Sequence, residues 1–210
     1  MTRVPNPLAD PGTVHISYAP ATMEGVFAER TSSPTVTLRP AAPRDAELLR
    51  QWRAETSVRR FQPLNDLPTS QLRADVASQR ISELYRGQGD KFQWIVQVDG
   101  DPAGWITLVV SNWEHGLAEV GYALSTTYQA RGLMTDALGL LLEDLFTNTN
   151  LERVEARCAI ENSASRRVLE KNGFQLEGHL RGYFKLRGRR IDNYLFALLR
   201  EDYERRRSPR

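Results

Sequence analysis

The sequence predicts an α+β domain built on one mixed, mostly antiparallel sheet. Two observations predict it. Three strand-like runs follow one another between residues 92 and 124, joined only by short turns, which is an antiparallel meander. A strand, a helix and a second strand then fill residues 117–160, and that succession requires a parallel pair with the helix packed on one face.

The elements follow in order. Residues 1–34 are rich in Pro, Thr, Ser and Ala and read as an irregular N-terminal extension, with Val14-His15-Ile16-Ser17-Tyr18 as a short strand. The domain begins at residue 35 with the alternating, β-rich run Thr35-Val36-Thr37-Leu38-Arg39. Pro43 stands near the first turn of a helix carrying Leu48, Leu49 and Trp52 at helical spacing. Two prolines, Pro63 and Pro68, forbid a regular helix over 61–68. Thr69 or Ser70 can cap the next helix, whose positions Leu72, Val76, Ile81 and Leu84 partly form an apolar stripe. Gly87 and Gly89 break it. The meander strands are 92–98, 103–110 and 117–124, with Asp99-Gly100 as the first hairpin turn.

After Gly132, Met134, Ala137, Leu138, Leu141, Leu142 and Leu145 share one broad helical face, and Asn148-Thr149-Asn150 ends the helix. The strand 151–160 alternates through Val154, Ala156, Cys158 and Ile160. A short helix over 165–171 stops at Asn172-Gly173, and strands 174–185 and 190–199 form a closing hairpin. From Glu204 the chain reads as a solvated basic tail, 204–210.

Composition bounds the function. The 210 residues are 40% hydrophobic and 26% charged, with a net charge of +2, so no global field favours nucleic acid or an anionic membrane. A single cysteine, Cys158, excludes an internal disulfide and reads as a small buried hydrophobe. No stretch is long and apolar enough to cross a bilayer, and residues 1–7 lack the apolar core of a secretory signal, so a cytoplasmic protein is expected. His15, His115 and His179 have no metal-ligand spacing, so no metal is expected.

The turn Tyr128-Gln129-Ala130-Arg131-Gly132-Leu133-Met134-Thr135 carries the chemistry. It joins a strand to a helix N-terminus, where first-turn N–H groups lack intrahelical partners and the helix dipole is positive; this can grip phosphate, and Arg131 adds a full charge. Leu133 and Met134 follow Gly132 where a magnesium–ATP loop would need Lys and Ser or Thr.

Several motifs then line up: Gln129-x-x-Gly132, Asn162-x-x-Ser165, Gly173-Phe174-x-x-Glu177-Gly178, and Arg181, Gly188, Asp192 and Tyr194. Jointly they resemble the GCN5-related N-acetyltransferase (GNAT) superfamily, and within it the ribosomal-protein N-terminal acetyltransferases of RimJ/RimL type, over residues 35–203. The resemblance implies a GNAT fold of about seven strands and four helices. It implies acetyl-CoA as donor, a primary amine as acceptor and direct attack of the amine on the thioester; it also allows a homodimer.

The implied site follows the motifs. Gln129, Ala130, Arg131, Gly132, Leu133, Met134 and Thr135 would wrap the pyrophosphate, although Ala130 stands where the family often has Gly and Met134 where it has Gly or Ala. Tyr122 and a backbone N–H near Leu124 would adjoin the acetyl group, where the family's central strands splay. Asn162 would bond the pantetheine arm; otherwise it is an Asx turn. Ser165 would donate a proton to the leaving sulfur; otherwise Ser163 or Ser165 caps the helix. Glu119 is the expected base; otherwise it is a paired surface carboxylate. Trp113, Arg181 and Tyr183 are expected on the acceptor side. The acceptor stays open between a protein N-terminal α-amine and a small-molecule amine (polyamine, amino sugar or amino acid), and a catalytically silent CoA-binding module shares the same donor motifs. A carboxylate-rich pocket would favour polyamines.

Overall fold

The computed structural model describes residues 33–207. The expected strand at 14–18, the extension up to residue 32 and residues 208–210 lie outside the described residues.

Seven strands form one sheet: β1 (Val36–Pro40), β2 (Lys91–Val98), β3 (Asp101–Asn112), β4 (Leu117–Leu124), β5 (Arg153–Ala159), β6 (Gln175–Leu186) and β7 (Arg189–Leu199). Their order is β1-β2-β3-β4-β5-β7-β6, and every pairing is antiparallel except β4–β5. The meander turn is built as its sequence demands: Asp99 and Gly100 both have positive φ, at 52° and 90°, which matches the twist of the flanking strands.

Strand alternation splits the core in two. Val120, Leu124, Val154, Ala156 and Cys158 face α5 (Leu133–Asn148), whose Ala137, Leu138, Leu141, Leu142 and Leu145 are all but fully buried. Burying each such leucine stabilises the fold by about 2 kcal/mol. On the other face Ile95, Trp105 and Ala123 meet α1 (Ala46–Ala54), α2 (Thr56–Arg59) and α3 (Thr69–Ser78), with Trp52 stacked 6.2 Å from Trp105.

Three local expectations are corrected. The helix expected through Ile81 and Leu84 breaks at Gln79 into α3 and a single turn, α4 (Ile81–Leu84). Gln79 is extended because its side chain acts as a strand neighbour: its amide nitrogen donates to the Ala41 (2.7 Å) and Gln93 (3.1 Å) carbonyls, and its oxygen accepts from Gln93 N–H (2.7 Å). Neither Thr69 nor Ser70 caps α3. Pro68 holds that position, and the Thr69 hydroxyl donates to Glu47 instead.

Residues 204–207 of the expected tail are exposed, as expected, but helical, so the boundary at residue 204 falls inside α7 (Arg200–Arg207). Tyr203 packs on Phe146 at 5.0 Å, and Arg207 pairs with Glu143 at 2.7 Å. Arg200 donates to the carbonyls of Phe146, Thr149 and Leu151. It thereby satisfies acceptors at the C-terminal end of α5 that the helix cannot satisfy itself.

The feature that positions the site is a gap in the sheet. β4 and β5 pair only over Leu117, Ala118 and Glu119, opposite Arg153, Val154 and Glu155, and then separate. Beyond Glu119, among the described residues, no strand lies beside the second edge of β4.

Candidate active site

The gap begins where β4 loses its neighbour. Ser125 N–H donates to Ala103, which fixes the alternation of the β3–β4 ladder. The backbone groups of Tyr122 and Leu124 therefore turn away from β3, toward the gap. Two side chains reach the carbonyls there: Gln62 Nε2 donates to Tyr122 O at 2.8 Å, and Gln129 Nε2 donates to Leu124 O at 2.8 Å. The Leu124 N–H is left pointing into the opening. Gly104, across from Leu124, allows this close approach, since a Cβ there would lie 2.3 Å from Ala123 O.

Immediately after β4 the chain is bracketed by the α1–α2 corner. Glu55 accepts from Ser125 Oγ (2.8 Å), Thr126 N–H (2.7 Å) and Thr126 Oγ1 (2.6 Å), and Ser57 is 2.7 Å from Thr126 Oγ1. Gln129 also reaches Ser57 at 3.2 Å. The Gln129 side chain thus builds the turn, and its backbone leads into the cradle.

Ala130 and Gly132 both take left-handed backbone conformations, with φ of 61° and 80°. The alternation winds the chain so that consecutive N–H groups face one side. Among the described residues no acceptor meets the N–H groups of Ala130, Arg131, Gly132, Leu133 or Met134, whereas Thr135 and Asp136 donate back to Gly132 O. Apart from its own chain neighbours, no atom of the described residues lies within 4 Å of where a Gly132 Cβ would stand. Open space, unpartnered donors and a sixteen-residue helix behind them fit the pyrophosphate of CoA. Leu133 and Met134 turn their side chains into the core. Met134 at the family's Gly/Ala position therefore does not obstruct the cradle.

Across the gap, Asn162 opens α6 (Ser163–Lys171), which starts two residues earlier than the sequence suggests. Its Oδ1 accepts from Ser165 N–H at 3.1 Å, so Asn162 is the cap and Ser165 is not. The Ser165 hydroxyl is free for other work. It lies 3.0 Å from the Tyr122 hydroxyl, which also reaches Ser165 O at 3.3 Å. This pair spans the gap between β4 and α6. Burial drives the Tyr122 phenol far above its usual pKa, against the opposing effect of the Ser165 hydrogen bond. Burial likewise pushes the neighbouring Cys158 thiol up to about 11. Both groups hold their protons at neutral pH.

Glu119 lies on the opposite face of β4 from Tyr122, as alternation requires. Its carboxylate accepts from the Arg157 guanidinium, which also bonds Glu155 at 3.2 Å and stacks over the Tyr183 ring at 5.5 Å. Glu119 and Tyr183 are thereby brought to one patch. Arg181 is exposed on β6, within electrostatic reach of Asp192.

Trp113 does not join them. It sits in the β3–β4 turn at the opposite end of β4 from Leu124, and its Nε1–H donates to Gly89 O at 2.6 Å. The expectation that it lines the acceptor groove is corrected: its indole ties the α4–β2 loop to the meander.

One feature beside the gap has little signal in the sequence. A cavity of about 510 Å3 lies between the α1–α2 region and the tip of the β6–β7 hairpin, with Thr56, Arg59, Gln62, Asn65, Lys185 and Arg187 among its lining residues. Gln62 connects this cavity to the gap. The only local hint was negative, since Pro63 and Pro68 keep 61–68 out of helix.

The acetyltransferase (GNAT) domain family matches residues 35–175. The uncharacterized N-acetyltransferase p20 of Bacillus licheniformis is 33% identical over 182 residues, covering 86% of this chain and 99% of that one. The spermidine N(1)-acetyltransferase of Escherichia coli K12 is 28% identical, over 82% and 90% of the two chains. Among solved structures, RimJ of Mycobacterium smegmatis in complex with CoA-disulfide superposes with a TM-score of 0.69 at 27% identity, covering 79% of this chain and 82% of that one. By fold, motif and match, the chain belongs to the GNAT acetyltransferase family and is an acetyl-CoA-dependent N-acetyltransferase.

Proposed function

We propose that this enzyme acetylates a protein N-terminal α-amine, with the amine entering through the cavity beside Gln62. Acetyl-CoA supplies an activated thioester. The N–H groups of Ala130 to Met134 hold its pyrophosphate, and Asn162 lies beside the path of the pantetheine arm. The Leu124 N–H faces the gap, where it stabilises negative charge developing on the thioester oxygen. Ser165 and Tyr122, both protonated, form the donor pair that delivers a proton to the departing sulfur. Glu119, on the acceptor face, takes the amine's proton through water. An α-amine titrates near pH 8, against about 10.4 for a lysine, so little basicity is needed.

The observation that carries the choice of acceptor is the charge of the cavity. Among the described residues its lining contains Arg59, Lys185 and Arg187 and no carboxylate. A polyamine, cationic along its whole length, would be repelled there. An N-terminal α-amine, neutral in a sizeable fraction at pH 7 to 8, would not. The spermidine reading rests on the relative at 28% identity.

Thiol release from acetyl-CoA tests the proposal, with octapeptides bearing free and blocked N-termini and with spermidine as acceptors. Free-amine peptides are expected to turn over and blocked ones not. Faster transfer to spermidine than to any peptide would overturn the assignment. Ser165→Ala and Tyr122→Phe should each lower kcat about 100-fold and leave CoA affinity within about threefold. An unchanged rate removes the pair from the mechanism.

A further inference from the structure

Resting on the reading of an N-terminal amine acceptor, we infer that the acceptor is acidic: one or more carboxylates stand within the first few residues after its amine. Lys185 and Arg187, at the hairpin tip, carry no ion pair among the described residues. Arg59 does, with Asp66 at 2.8 Å, but Asp66 lies outside the cavity lining. Among the described residues, then, Lys185 and Arg187 are cations without an ion pair, and no carboxylate is among the residues that line the cavity.

The hairpin is built to hold them there. Arg187 and Gly188 both have positive φ, at 48° and 82°, which makes a tight two-residue turn. Register pairing of Lys185 with Arg190 and Leu186 with Arg189 continues to the tip, so Lys185 and Arg187 stand on an ordered ribbon. Arg189 and Arg190 add charge of the same sign across it, and the Arg190 side chain donates to Gly182 O, at 2.9 Å.

Geometry sets where the carboxylates fall. The amine must reach the gap at Tyr122, where Gln62 forms the inner wall. A cavity of 510 Å3 is about 8 Å across, which two to three extended residues span. Acidic side chains at positions two to four would then meet Lys185 and Arg187. The same cations act on the amine by disfavouring its protonated form, which helps it arrive as a nucleophile.

The test uses the full chain and three octapeptides with one shared first residue and free α-amines, bearing Asp/Glu, Ser/Gly or Lys at positions two to four. Each exposed ion pair contributes up to about fivefold. The acidic peptide should therefore exceed the basic one in kcat/KM by about tenfold or more at low salt, with the neutral one between. The difference should shrink at 0.5 M salt. The double variant Lys185→Glu with Arg187→Glu should reverse the order, with CoA affinity measured in parallel to confirm an intact donor site. Equal turnover of all three peptides overturns the inference and leaves the N-terminal reading standing. Turnover of spermidine and of no peptide overturns both. If the double variant loses affinity for an RNA oligonucleotide and keeps the peptide order unchanged, the patch is an RNA contact and the inference fails.

Discussion

Gly132 allows strain and charge at the proposed pyrophosphate cradle to be separated. Its φ of 80° disfavours any side chain, and open space surrounds the position a Cβ would take. Gly132→Ala therefore meets no clash and bears only the backbone penalty, about 1–2 kcal/mol. For a domain of this size that lowers Tm by roughly 2–8 °C. Gly132→Asp shares the strain, softened because Asp tolerates the left-handed region. It also sets a negative charge against the phosphates. At about 5 Å and an effective dielectric of about 20, one pair of like charges costs about 3 kcal/mol. CoA affinity should thus fall more than about 100-fold in Gly132→Asp and less than about tenfold in Gly132→Ala. Isothermal titration with CoA reads the affinity, and thermal unfolding reads the strain. Binding within threefold of the parent by Gly132→Asp would show that the pyrophosphate lies elsewhere, and the whole donor-site assignment would go with it.

Other predictions follow from single contacts. Glu119→Gln should lower kcat/KM by about tenfold or more at pH 7 and by much less at pH 9, where an α-amine is already neutral without help; a loss independent of pH would make Glu119 a structural partner of Arg157. Trp113→Phe should remove the bond to Gly89 and about 1 kcal/mol of stability, with kcat/KM against peptides kept within twofold; a large fall in kcat/KM would return Trp113 to the acceptor side. Cys158, with its thiol pushed up to about 11, should be alkylated by iodoacetamide at pH 8 about 100-fold or more slowly than in the urea-unfolded chain, because its proton is retained in the fold; equal rates would mean the β5–α6 region opens readily.

What the sequence made legible, and what it hid, has a physical pattern. Periodicity marked α5 and the meander because their apolar residues face one way at fixed spacing, and Asp99-Gly100 marked its own turn through positive φ. The motif residues were legible for a related reason. Tyr122, Ser165 and Asn162 lie on elements whose types and order were clear, but the approach of the Tyr122 and Ser165 hydroxyls to 3.0 Å is seen only in the structure. Ala130 was half legible: sequence showed an alanine where glycine is frequent, and only the backbone showed its φ of 61°. Trp113 misled because a turn residue has no register, so the end of the sheet it occupies cannot be read from its neighbours in sequence.

The proposed acceptor side was legible only in part: the motifs pointed to Arg181 and Tyr183 on the closing hairpin, and nothing pointed to Gln62 or Glu55. Gln62 meets Tyr122 across sixty residues, Glu55 meets Thr126 across seventy-one, and both come from segments with no periodic signal. The donor half of the site is held by backbone geometry, which a motif records. In the proposed function the acceptor half is lined by side chains that converge from the α1–α2 corner and the closing hairpin. On that proposal a change at Lys185 or Arg187 should alter which amine enters and leave the donor motif as it was. On that account two chains could share Gln129-x-x-Gly132 and Asn162-x-x-Ser165 and still serve oppositely charged acceptors, and the charge at the hairpin tip is the position to compare.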